Sequence, residues 1–131
     1  MLRIPSPLSP EQERRVTDTM DCAFTVHREV GPGFRERFYH TAFGLELDSR
    51  GLKFESEKAI SVKYKQWEIP GHKVDLIVEG IVLVEVKAVP RLREIHRAQV
   101  MAYLKATGLR VALLINFNTA VLKDGFRRIV V

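Results

Sequence analysis

The run Ile81-Val82-Leu83-Val84-Glu85-Val86-Lys87-Ala88-Val89 constrains this chain more than any other stretch. It is apolar and β-branched enough for a strand near the centre of a sheet, and Pro90 should close it. Yet Glu85 and Lys87 stand two residues apart inside it, so their side chains share one face. Burying either charge costs several kcal/mol unless it is paired or bound to a metal. Two readings are open: an edge strand whose charged face keeps other sheets away, or a site.

A further strand is expected over 74–78, and it contains Asp75. Residues facing each other across an antiparallel hairpin have position numbers with a constant sum. A two-residue loop, Glu79-Gly80, would make that sum odd and put Asp75 on the face away from Glu85 and Lys87. A three-residue loop, Val78-Glu79-Gly80, would make it even and gather all three on one face; Gly80 as the last loop residue favours this arrangement. Converging Asp75 and Glu85 would repel each other, and a divalent ion is the simplest compensation. Hard carboxylate oxygens suit Mg2+ or Mn2+.

The rest of the chain predicts a mixed α/β sheet flanked by helices. Ser9-Pro10-Glu11-Gln12 reads as a helix start with a capping box, and Val16, Met20, Ala23, Phe24 and Val30 hold one face up to Gly31-Pro32-Gly33. A second helix is expected from about 34 to 50, with Phe38, Ala42 and Leu45 as its periodic apolar residues and Gly51 as its stop. Ile60, Val62 and Tyr64 alternate with polar residues as in a half-exposed strand, in which Trp67 is expected to cover the core, stacking on a base being the alternative. Ala98, Met101, Ala102 and Ala106 mark a helix over about 92–107; residues 110–117 read as a buried strand, and the tail as a small hairpin or a packed extended segment. His27, His40, His72 and His96 show no metal-binding spacing and are read as surface or helix-face residues, with a phosphate contact as the alternative for His72, which leads with Lys73 into Asp75.

Composition bounds the setting. At 131 residues, 46% hydrophobic and 28% charged, the expectation is one domain over 1–131. Cys22 is the sole cysteine, which excludes an internal disulfide and any multi-cysteine metal site within this chain, and it is expected to be buried and inert. The start reaches charge and proline before any apolar run, and no stretch approaches the ~20 apolar residues of a membrane span. A cytoplasmic protein is expected, and a net charge of +5 favours a polyanionic partner.

Two helices offer further side chains. Glu36 falls in the first turn of the second helix, where a carboxylate also suits the helix dipole, and Tyr39, one turn on, either packs beneath it or joins the core. Gln99 and Tyr103 are four apart and so present an amide and a phenol from one helix face. Lys73 leads into Asp75, and Arg97 lies near the start of the later helix; both are candidate phosphate contacts, with a solvated surface as the alternative.

Together these residues resemble the PD-(D/E)XK nuclease superfamily, and more narrowly the small bacterial proteins called the GxxExxY family. The similarity runs from about 28 to 131. Gly33, Glu36 and Tyr39 match the naming motif, Asp75 the superfamily's motif Asp, Glu85-Val86-Lys87 its E-x-K, and Gln99 with Tyr103 the QxxxY of its RecB-like branch. Val74 departs from the proline in the superfamily's name, and the cluster-bearing RecB-like relatives need cysteines that are not here.

The resemblance implies a core in the order αβββαβ, here with an extra N-terminal helix, and it implies roles. Asp75 and Glu85 would bind Mg2+ or Mn2+, joined by the backbone carbonyl of Val86 and by Glu36 through water. Lys87 would orient the attacking water or stabilise charge on the phosphorane, while Gln99 and Tyr103 would position the strand. The expected activity is metal-assisted hydrolysis of phosphodiester bonds, in DNA rather than RNA. A homodimer would lengthen the nucleic-acid track. The alternative is a nucleic-acid- or protein-binding module that keeps the nuclease fold and metal site without turnover.

Overall fold

The computed structural model describes residues 6–131; residues 1–5, part of the start that was read for its charge and proline, lie outside the described residues. Helix α1 (Pro10–Val30) opens with the expected capping box: Ser9 Oγ accepts from the Gln12 N–H at 3.1 Å, and Gln12 Oε1 accepts from the Ser9 N–H at 2.8 Å. Helix α2 is Glu36–Ser49 and α3 is Glu94–Thr107. The strands β1 (Phe54–Tyr64), β2 (Trp67–Val78), β3 (Val82–Lys87), β4 (Val111–Asn116) and β5 (Phe126–Val130) form one sheet in the order β1-β2-β3-β4-β5.

The first three strands are an antiparallel meander; β3 and β4 are parallel, and α3 makes the crossover between them. The tail resolves as a packed segment: a short 3-10 turn, then β5 antiparallel to β4. Strand β3 is therefore central, which removes the edge-strand reading of its charges.

Helices cover both faces. On one side α1 and α2 press Val16, Cys22, Ala23, Tyr39, Phe43 and Leu47 against Val82, Val84, Val86, Leu113 and Ile115. On the other, Val100, Tyr103 and Leu104 of α3 meet Leu83, Ala112 and Leu114. Alternation along β3 then puts Glu85 and Lys87 on the α3 side.

Both later helices bury a different face from the one expected. In α2 the buried hydrophobic residues are Tyr39, Phe43 and Leu47, while Phe38 and Leu45 are exposed; in α3 they are Val100, Tyr103 and Leu104, while Met101 is exposed. In each helix two apolar stripes compete, and the one with the larger side chains against the sheet removes more area from water. Trp67 does not cover the core: it is 55% exposed.

The β2–β3 loop has the predicted length and parity, displaced by one residue. Val78 pairs with Val82, so the loop is Glu79-Gly80-Ile81, closed by the Ile81 N–H donating to the Val78 carbonyl at 2.9 Å. The position sum is still even, and the register opposes Asp75 to Glu85, one step beyond the last ladder pair, Leu76 with Val84.

A second irregularity lies at the same level. Val74 packs on the α3 side, whereas Leu76 and Val78 pack on the α1–α2 side, so the alternation of β2 reverses around Asp75. Strand β1 reverses too, between Phe54 on the α1–α2 side and Ile60 on the α3 side, with Glu57 between them at φ +50°. Beyond this point the paired strands run on as an arm without a helix on either face of its tip, so that β1 there is exposed on both sides rather than half-exposed.

Candidate active site

Asp75 comes from the reversal in β2, and Glu85, Val86 and Lys87 from the last turns of the central ladder; the structure brings all four together. The carboxylates replace the missing ladder bonds: Asp75 Oδ2 accepts from the Val86 N–H at 2.8 Å, and Glu85 Oε1 accepts from the Asp75 N–H at 3.2 Å. Consecutive carbonyls along a strand point to opposite edges. The Lys87 carbonyl accepts from the Phe117 N–H at 2.9 Å, beyond the end of β4, so the Val86 carbonyl faces the β2 edge and Asp75.

Glu85 is only 3% exposed. Burial, and then the negative charge of Asp75, push its carboxyl up to about 8, against smaller opposing effects of a hydrogen bond and of Lys87. The pair is thus short of positive charge. Its donors are all hard oxygens, two carboxylates and a carbonyl on one strand edge, a set that fits a hard divalent cation. Among the described residues, no three His, Cys, Asp or Glu side chains converge as a ready ligand set. Glu36 at the start of α2 is exposed as a residue, yet partial desolvation of its carboxyl raises it, ahead of Lys87, which lowers it, and Asp75, which raises it.

Among the described residues Lys87 forms no ion pair. Its Nζ donates instead to Gln99 Oε1 at 2.9 Å, and Gln99 Nε2 donates to the Tyr103 hydroxyl at 3.3 Å. The chain continues to His72 Nδ1, 3.4 Å from the same hydroxyl. One helix face, read in the sequence as an amide and a phenol four residues apart, therefore holds the ammonium in place. A hollow lined by Lys87, Ile95, His96, Ala98 and Gln99 opens beside it.

Two candidates stay apart from this cluster. Lys73 is exposed, and its positive charge registers on Glu57, whose carboxyl is lowered chiefly by Arg37. Arg97 is exposed and, among the described residues, forms no ion pair.

Gly33 and Tyr39 shape the entry to α2. The Tyr39 hydroxyl donates to the Gly31 carbonyl at 2.6 Å and accepts from the Phe34 N–H at 3.2 Å, and its ring stacks on Phe117 at 4.7 Å. Gly33 takes φ +106°, a conformation that side chains disfavour. These contacts anchor the turn that delivers Glu36, and they settle Tyr39 as a core residue.

Two contributors gain a role from the structure. His72 is exposed, as expected of a surface residue, and its ring also ends the hydrogen-bonded chain at Tyr103, a contact the sequence did not indicate. Asn116 is buried at the end of β4; its side chain accepts from the Val89 N–H and donates to the Val89 carbonyl, at 3.0 and 2.9 Å, bracing the loop between β3 and α3. One polar residue closing an apolar run was its only mark. Two other histidines depart further from the surface reading: His40 is buried against Ser56 Oγ, and His27 is half-buried with Nε2 2.7 Å from the Thr119 carbonyl.

The profile of the PD-(D/E)XK nuclease superfamily matches residues 13–129. No curated protein matches the chain at a significant level. Among solved structures, the crystal structure of SSO0001 is similar in fold, with a TM-score of 0.52 at 17% identity over 92% of this chain; this chain spans 60% of that one's length.

Proposed function

The chain belongs to the PD-(D/E)XK nuclease superfamily, and from that membership we propose that it is a divalent-metal-dependent nuclease that hydrolyses phosphodiester bonds in DNA. The observation that carries this reading is the pairing of half-buried Asp75 with buried Glu85 in the middle of the sheet, with Lys87 held beside them by Gln99. A pair of this kind in a central strand is an expense of several kcal/mol without a function.

Asp75, Glu85 and the Val86 carbonyl would hold Mg2+ or Mn2+, with Glu36 acting through water. The bound ion would activate water and screen phosphate charge. Lys87 keeps its ammonium on the α3 side of the sheet, where Gln99 limits its rotation; there it orients the attacking water or offsets the charge that develops on phosphorus. Gln99 and Tyr103 position the strand, and Lys73 and Arg97 meet phosphates farther out. The match of Gly33, Glu36, Tyr39, Gln99 and Tyr103 to the two motifs supports a place among GxxExxY proteins with a RecB-like QxxxY helix. The single buried thiol of Cys22, pushed up to about 11 by burial, suits a reducing cytoplasm.

The test is cleavage of labelled single- and double-stranded DNA and RNA in Mg2+, Mn2+ or EDTA. Wild type should cut DNA only with metal. Asp75→Asn, which keeps an oxygen for the Val86 N–H, and Lys87→Met should each lose at least about 100-fold. Mg2+ should also raise the melting temperature of wild type and leave that of Asp75→Asn unmoved. Metal stabilisation that depends on Asp75, without cleavage of any substrate, would leave a binding module.

A further inference from the structure

The arm formed by the outer halves of β1 and β2 carries an apolar face that nothing among the described residues covers. Val62 pairs with Ile69, and Tyr64 with Trp67 across the tip, so these four side chains share one face. They are 40, 53, 56 and 55% exposed, in that order. The Tyr64 and Trp67 rings stack with centroids 6.4 Å apart and planes 17° from parallel, and Lys65 Nζ sits 5.5 Å from the Tyr64 ring centre. Over residues 58–73 the arm has four lysines, Lys58, Lys63, Lys65 and Lys73, against one acid, Glu68.

This face is continuous with the site. Ile60 packs on the α3 side, and alternation along β1 puts Val62 and Tyr64 on that side too. On β2 the register shifts at Ile60/Ser61, where Gly71 takes φ +128° as the extra residue; the shift keeps Ile69 and Trp67 on the same side as His72, which meets Tyr103. Trp67 is eight residues from Asp75, about 26 Å along the strand, which is the length of about eight stacked nucleotides.

We propose that the β1–β2 arm is a platform for unpaired nucleotides, with Tyr64 and Trp67 stacking on bases, Lys65, whose Nζ lies beside the Tyr64 ring, meeting phosphate, and the strand running past His72 and Tyr103 to the Asp75–Glu85–Lys87 site. This deepens the nuclease reading and rests on it, by assigning a single-stranded segment to the substrate. Aromatic faces need bases freed from a duplex, and a lysine-rich surround attracts phosphate. A second copy of the chain would also cover an apolar face, but four lysines on each arm would then repel across the contact.

Trp67 is the sole tryptophan, so its fluorescence reports on the arm in the unaltered protein. In EDTA, titration with a 20-nucleotide oligothymidylate should quench it, and a 20-base-pair duplex should not. The double variant Tyr64→Ala/Trp67→Ala should bind the single strand at least about tenfold more weakly and the duplex with less than about twofold change. Absent quenching, or equal losses on both ligands, overturns the proposal. So does sedimentation showing that wild type self-associates through a face the double variant lacks, with nucleic-acid affinity unchanged. Cleavage without quenching removes the arm and keeps the nuclease; quenching without cleavage in any metal keeps the arm and removes the hydrolase.

Discussion

The central strands and the β1–β2 arm are built from similar residues and meet opposite surroundings. Strand β4 is buried at all six positions and β3 at five of six, whereas the outer arm exposes valine, isoleucine, tyrosine and tryptophan. The difference is what lies above and below: helices on both faces of the centre, none on the arm's tip. Backbone pairing alone forms the ladder in both, and burial comes only from a second layer. Each region therefore carries residues that suit the other: Glu85 among apolar neighbours, Trp67 in water. Such mismatches between residue and environment mark the places where function is to be sought.

The largest test of that contrast is truncation on either side of it. Phe117 is fully buried and stacked on Tyr39, so Phe117→Ala should cost about 3–5 kcal/mol by denaturant unfolding. Trp67→Ala should stay within about 0.5 kcal/mol. Equal losses would mean that the arm is part of the cooperative core.

Next is the buried acid. Glu85 titrates near 8 in the fold and near 4.5 in the unfolded chain, so the folded state holds its proton over that interval. Metal-free stability should therefore be full below about pH 4.5 as far as this group is concerned, and decline as pH rises toward about 8, by a few kcal/mol. Glu85→Gln should remove that slope in EDTA melts. A wild type whose stability rises over the same range would show that Glu85 is already compensated within the chain.

The smallest effect belongs to the turn before α2. Tyr39→Phe leaves the Gly31 carbonyl and the Phe34 N–H without their partner and should cost about 1–2 kcal/mol. If this variant keeps its stability while metal-dependent cleavage falls, the phenol acts by placing Glu36 rather than by holding the core.

Much of the architecture was legible because it rests on local rules. Ser9 and Gln12 mark a helix start by hydrogen-bonding chemistry that needs nothing distant, and Gly31 and Gly108 end helices at positive φ. Parity gathered Asp75, Glu85 and Lys87 on paper, because an extra loop residue flips a whole strand. What failed was whatever two elements decide together. Phe38 and Tyr39 are equally good helix-face candidates until a sheet bearing Phe117 chooses one. Trp67 reads as a core residue until the helices turn out to end short of it.

By itself the sequence determined the order of elements, the strand character of the 81–89 run and the identity of the charged residues inside it, since these follow from period, caps and the cost of burying charge; that this strand is central and not an edge was decided by the sheet order. Only the tertiary structure decided that Lys87 is held by Gln99, that Tyr103 leads on to His72, and that β1 and β2 reverse faces beside Asp75. Those contacts join residues up to 31 positions apart, and no local preference specifies them; they exist because helices packed on both faces of one sheet leave the polar groups between them few partners within reach.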